Sequence, residues 1–144
     1  MAERTVRQII EGQEPVTAPS GFMVSDAAQL MKQRNVGALM VVDDGRLTGV
    51  FTERDGLFRV LAEGRDARTT ALSEVMTRNP RTISPDSGFT TALQMMHQGA
   101  FRHIPVVEHG QLLGVVSVRD ALGPELEAFV YEMLRQEQIQ EVLA

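Results

Sequence analysis

The sequence predicts a mixed α/β (α+β) protein built from two copies of one β-α-β-β-α unit, followed by an extended C-terminal helix. Three observations carry that prediction. Displaced by 65 residues, Pro15–Phe58 aligns without a gap on Pro80–Gly123, and 15 of the 44 aligned pairs are identical; chance would give roughly three, so this is a tandem repeat. Each copy holds two apolar runs flanking a short polar turn with glycine, the pattern of a β-hairpin. Each copy also places a stretch of helical periodicity before that hairpin and a Thr/Ser-x-x-Asp helix start after it.

The elements follow in order. Arg4 to Ile10 predicts a short leading helix with Val6, Ile9 and Ile10 on one side. Pro15–Pro19 and its counterpart Pro80–Pro85 predict short edge strands, because a proline biases the residue before it towards extended backbone. Val24 to Arg34 predicts a helix with Ala27, Leu30 and Met31 inward and Asn35 as C-cap; its counterpart runs from Phe89 to Gln98, with Gly99 ending it. Ala38–Val42 and Leu47–Phe51 form the first hairpin around Asp43-Asp44-Gly45-Arg46, and Ile104–Val107 and Leu112–Val116 the second around Glu108-His109-Gly110-Gln111. A helix from Thr52 to about Ala62 carries Leu57, Phe58 and Leu61; another starts near Ser117 and continues after Gly123-Pro124 to about Val142. Glu63 to Asn79 is a polar connector with the apolar turn Leu72–Met76. The expected divisions are 1–66 for the leading helix and first repeat, and 67–144 for the connector, second repeat and C-terminal helix.

Composition removes several functional classes. At 144 residues and 43% hydrophobic content the chain can bury a core, and two units of about 60 residues would each be marginal alone, so the halves are expected to bury faces against each other. With no cysteine there is neither a disulfide framework nor a thiolate nucleophile or metal ligand, which suits a reducing cytoplasm. No secretory signal is visible after the polar Met1-Ala2-Glu3-Arg4, and no run approaches the roughly 20 apolar residues of a membrane span. A net charge of −5 argues against nucleic-acid binding, though not against a small anionic ligand. His97, His103 and His109 show no metal-ligand spacing, and no phosphate-binding Gly-Lys-Ser/Thr loop, dinucleotide glycine motif or paired nucleophile and base can be found. Neither an enzyme nor a catalytic cofactor is expected.

The densest part of the repeat sets Gly49-Val50-Phe51-Thr52-Glu53-Arg54-Asp55 against Gly114-Val115-Val116-Ser117-Val118-Arg119-Asp120. Read locally, Thr52/Asp55 and Ser117/Asp120 are reciprocal N-caps. The same helix start offers N–H groups and a positive dipole end to a phosphate, and an Asp one turn on can accept from both hydroxyls of a ribose. A duplicated polar signature suggests two related sites, one per half.

The unit order, the period, this repeated Gly-x-x-Thr/Ser-x-x-Asp, Ser73-Glu74-Val75-Met76-Thr77 and Arg102-His103-Ile104-Pro105-Val106-Val107 together resemble a stand-alone tandem CBS-domain pair, or Bateman module. The resemblance covers all but about the first dozen and last twenty residues. It implies two repeats packed through their sheets with pseudo-twofold symmetry, and two clefts for adenosine-containing ligands: AMP, ADP, ATP, NAD(H) or S-adenosylmethionine. It also implies Asp55 and Asp120 as ribose ligands and Thr52 and Ser117 as phosphate ligands. Thr17 and Thr82 occupy equivalent points of the first strands. Val16 to Ala18 with Leu39 and Met40 would line one adenine slot, and Arg81 to Ile83 with Ile104 and Pro105 the other, largely through backbone groups and apolar walls. Arg102 and His103 would face a phosphate, with Arg54 and Arg119 within reach; the first copy departs from this pattern with Gly37-Ala38, which implies unequal sites.

Two functions follow. One is a non-catalytic sensor that binds an adenine nucleotide in clefts between the two repeats and passes the change to a homodimer partner or a regulated protein, with no membrane and no nucleic acid involved. The other is a dimerisation or docking module with no physiological ligand.

Overall fold

The computed structural model describes residues 3–143, with side chains as far as Ile139. Helix α1 (Val6–Ile10) is closed by a capping box in which Gln8 N donates to Thr5 Oγ1 and Thr5 N donates to Gln8 Oε1. Strand β1 (Thr17–Ala18), helix α2 (Val24–Arg34), β2 (Ala38–Asp43), β3 (Arg46–Thr52) and α3 (Glu53–Asp55) make the first unit. The second has α5 (Phe89–Gly99), β5 (His103–Glu108), β6 (Gln111–Ser117) and the long α6 (Gly123–Leu143). Between them lie α4 (Leu72–Val75) and β4 (Thr77–Arg78).

Both hairpins close where expected, and for the same reason. Asp44 and Gly45 stand at φ 51° and 77°, and His109 and Gly110 at 52° and 77°. Two successive left-handed residues match the right-handed strand twist, and glycine holds the second position at no steric cost. β1 pairs in parallel with β2, and β2-β3 and β3-β4 are antiparallel, giving a four-stranded sheet in the order β1-β2-β3-β4. In the second unit the first strand shrinks to one parallel bridge, Ile83 to Val106, beside the β5-β6 hairpin.

The helices depart from expectation in three places. Helix α5 runs through Gly99, and its left-handed cap is Ala100 (φ 56°), whose N–H reaches His97 O and Met96 O; the repeat register places it at the position of Asn35. After Asp55 the backbone widens into a π-helical stretch, Gly56–Leu61, that buries Val60 and leaves Leu57, Phe58 and Leu61 51%, 53% and 71% exposed. The equivalent of α3 in the second unit is one 3₁₀ turn, Val118–Asp120, which ends in extended backbone at Ala121 before α6 begins.

The short helices exchange partners between the units. Val6 N donates to Ser87 O at 2.8 Å and Arg7 N to Pro85 O at 2.8 Å, whereas Leu72 N donates to Phe22 O and Ser73 N to Ser20 O, both at 2.9 Å. Each segment therefore packs on the unit it does not precede. Val6 and Ile10 join Ile83, Phe89, Leu93 and Ile104 in one core, and Leu72, Val75 and Met76 join Val16, Leu39 and Phe51 in the other. The central strands β2 and β3 bury residues on both faces. Leu39, Val41 and Phe51 point into the first unit's core, while Ala38, Met40 and Val50 meet Leu112 and Val115 in a third cluster that joins the two sheets. The fold is thus a mixed α+β pair of repeats packed through their sheets with pseudo-twofold symmetry and extended by α6.

The exchange also leaves a difference at the sheet edge. Val50 of β3 pairs with Thr77 of β4. Its counterpart Val115 instead meets the side-chain amide of Gln13, with Val115 N 2.6 Å from Oε1 and Nε2 donating to Val115 O at 3.0 Å. One side chain substitutes for a strand. Gln13→Ala is expected to cost about 1 kcal/mol, as two modest hydrogen bonds pass to water; an unchanged urea midpoint would show that the amide contributes nothing.

Candidate functional site

Two clefts open where the sheets meet, and each draws on both repeats. The first, of about 450 Å³, is lined by Thr52–Asp55 after β3 together with Thr77 and Ala100–His103 from the second unit. A lobe of about 230 Å³ extends it past Asn79, Pro80 and Arg81. The second cleft, of about 190 Å³, sets Ser117, Arg119 and Asp120 after β6 against Pro15, Val16 and Asn35–Ala38 of the first unit. Each repeat contributes one duplicated cap, and the clefts lie between the repeats as the resemblance implied. Packing the sheets face to face sets the end of each hairpin opposite the other unit, so neither half holds a whole cleft.

Local sequence builds the caps. Thr52 Oγ1 accepts from Asp55 N at 3.2 Å, while Asp55 Oδ2 accepts from Thr52 N at 2.9 Å and from the Thr52 hydroxyl at 3.1 Å. Asp55 is buried, with Oδ1 3.5 Å from Arg59 Nε. In the second cleft Asp120 Oδ2 accepts from Ser117 N at 2.7 Å. The Asp120 carbonyl accepts from Arg4 Nη2 at 2.8 Å, and Arg4 also pairs with Glu125 and lies over the Phe89 ring. The Arg4 hydrogen bond holds the Glu125 carboxyl below its ordinary range and so ties the start of α6 to the cap of the second cleft. The helix dipole expected behind each cap is missing from that cleft. A single 3₁₀ turn aligns too few peptides to build one, which leaves anion binding there to side chains.

The basic residues converge between the clefts. His103, half-buried at the start of β5, lines both of them, and with Gly37, Glu53, Arg102, Ser117 and Arg119 it surrounds the small junction that joins them. Burial first, and then the neighbouring Arg102, pushes the His103 pKa down from its ordinary value. Gly37 stands close to this junction: a Cβ there would lie 3.1 Å from the mobile end of Glu53, at Oε1, and in ordinary contact with His103 Cε1 at 3.6 Å. Arg54 lies against the Phe58 ring, 5.3 Å from its centroid, on the wall of the first cleft.

Other expected site residues stand elsewhere. Thr17 and Thr82 are exposed and lie outside both linings. Ala18 and Ile83 are buried, while Met40, Ile104 and Pro105 are fully buried, Met40 in the cluster between the sheets and Ile104 in the second core. These five present no side-chain surface to a ligand in this conformation. Gln13, Asn35, Thr77 and Phe101 line the clefts without having been expected there. Displacing Ala100–Phe101 by the repeat period would have pointed to Asn35–Val36. No comparable signal marks Gln13 or Thr77, which arrive through the exchanged segments. Among the described residues no cluster of His, Asp and Glu could hold a metal ion, and no helix is long and apolar enough to cross a membrane.

Comparison with known proteins bears on this arrangement. The family profile described as CBS domain matches twice, over residues 6–61 and 72–124. The CBS domain-containing protein YhcV of Bacillus subtilis is 41% identical over 97 residues, covering 67% of this chain and 69% of that protein. The CBS domain-containing protein CBSCBSPB3 of Arabidopsis thaliana is 40% identical over 121 residues; the match takes in 83% of this chain but only 22% of that much longer relative. Among solved structures, the CBS domain pair of MJ0100, in complex with 5′-methylthioadenosine and S-adenosyl-L-methionine, superposes with a TM-score of 0.75 at 27% identity, over 83% of this chain and 93% of that one. PAE2072 of Pyrobaculum aerophilum, complexed with AMP, superposes with a TM-score of 0.79 at 22% identity, over 89% and 99%; at that identity the likeness is one of fold.

Proposed function

The chain belongs to the CBS-domain family, with two CBS domains in tandem, and on that footing we propose that it is a non-catalytic regulatory module whose clefts bind adenosine-containing ligands. The observation that carries this reading is the composite construction of each cleft, with a Thr/Ser-x-x-Asp cap from one repeat facing the strand starts of the other. Asp55 and Asp120 would take the ribose hydroxyls, Thr52 and Ser117 a phosphate, and Arg102 and His103 the same phosphate from across the junction. The adenosine complex of MJ0100 supports the ligand class. A ligand that touches both repeats favours one relative packing of them, which is what a signal requires. The first cleft, larger and nearer Arg102, is the expected site of tighter binding.

Exposed apolar side chains support the second reading, assembly. Leu126, Val130 and Leu134 follow one another at four-residue spacing on α6 and are 43%, 48% and 54% exposed. With Leu57, Phe58 and Leu61 they offer surface for a homodimer or a regulated protein. Calorimetry and thermal unfolding with AMP, ADP, ATP, NAD+, NADH and S-adenosylmethionine separate the two readings. The expected result is that at least one of them binds and, at a hundred times its Kd, stabilises the protein by about 2.7 kcal/mol. If nucleotide-free protein responds to none of them, the sensor reading fails and assembly alone remains.

A further inference from the structure

The junction between the clefts gathers charge around one imidazole. His103 shares it with Glu53 from α3, Arg102 just before β5 and Arg119 from the turn after β6, and Asp120 of that turn lines the second cleft beside it. Two arginines against one carboxylate leave the junction positive, so a further proton on the imidazole is favoured only when an anion comes to meet it. Farther along the linings, Arg54, Asp55 and Arg59 face the first cleft with Arg81 beyond them, and Glu14 faces the second. A phosphate entering from either cleft reaches the same imidazole, because His103 borders both.

We propose that His103 gives this module a pH-dependent preference for phosphate-bearing adenosine ligands over uncharged ones: it takes up a proton from solvent as the phosphate settles against it in a cleft, so phosphate ligands bind more tightly as the pH falls. The inference rests on the adenosine-ligand reading above and adds to it the basis of selectivity. Its physical ground is desolvation against charge pairing. In the empty protein burial and Arg102 disfavour the imidazolium. An anionic phosphate against the imidazole offsets both effects, since it pairs with the added charge and screens it from the arginines. The pKa of His103 is then higher in the complex than in the free protein. By linkage, affinity rises as pH falls from above the bound value to below the free one. An uncharged adenosine lacks that partner, and its affinity stays flat through the same range.

The test is calorimetric titration with AMP and with adenosine at about pH 8, 7 and 6, on wild type and His103→Gln, with each pH run in two buffers of different ionisation enthalpy. The second ionisation of AMP also falls near pH 6, but it is common to both proteins and cancels in their affinity ratio. That ratio, wild type over variant, is expected to grow for AMP between pH 8 and 6, by at most the roughly ten-fold that would follow if the phosphate raised the His103 pKa by about one. For adenosine it should not change. Wild type should also take up more protons on binding AMP than His103→Gln does in the two-buffer comparison, the phosphate's own ionisation being common to both. AMP that binds with a flat ratio and no such excess overturns this inference alone. If AMP binds at no pH while another of the six ligands does, the inference fails alone; if none of the six binds, the adenosine-ligand reading fails and takes the inference with it.

Discussion

Leu72→Ala is expected to destabilise the protein by about 3 kcal/mol, within the range for truncating a buried leucine, and the loosening should appear in the repeat that precedes it. Leu72 is fully buried, and its neighbours are Val16, Leu39, Phe51 and Val60 of the first unit's core. Its N–H is bonded to Phe22 O, so side chain and backbone both belong to that unit. Ile10→Ala is the mirror experiment. Ile10 is buried with Ile83, Phe89 and Ile104, so a similar loss should open the second unit from a residue near the N-terminus. Amide hydrogen exchange on both variants reads the location directly. Leu72→Ala should speed exchange in β2 and β3, and Ile10→Ala in β5 and β6. The opposite assignment would mean that the packing seen across the repeats does not carry the stability.

Asp55→Ala and Asp120→Ala should each weaken ligand binding at one cleft by about 10- to 100-fold, the loss of a hydrogen bond to a charged group being about 1.5–3 kcal/mol. The two variants are not equivalent in stability. Asp55 is buried, caps Thr52 N and faces Arg59, so its removal also undoes a capping box worth about 1 kcal/mol. Asp120 caps only Ser117 N with its carboxyl, while its carbonyl holds Arg4 whatever side chain is present. Each variant must therefore be compared with its own ligand-free unfolding temperature. With two occupied clefts in wild type, each substitution should remove one binding event and leave the other within a few-fold. Two variants that bind with unchanged stoichiometry and affinity would remove both carboxylates from the site.

Much of this fold is legible because its determinants are local. The bounds of α2, the two glycine turns and both capping boxes rest on contacts between residues three or four apart, and those read directly from Val24–Arg34, Asp44-Gly45 and Thr52-x-x-Asp55. The repeat added the count of units and the pairing of residues between them. The π-helical stretch after Asp55 was not legible. An apolar run there fits an α-helix equally well, and only the surrounding core decides that Val60 turns inward while Leu57 and Leu61 face out.

Local signals in the chain thus account for two α+β units, their hairpins, their helix starts and the pair of Asp residues that mark two sites. Three features came from packing instead: the short helices trade units, each cleft is built across both repeats, and a single histidine borders both. They rest on long-range pairings, Val6 with Ser87, Leu72 with Phe22, Gly37 with Glu53 and His103. Such pairings are selected by which apolar faces can be buried together, and no short stretch of sequence records that choice.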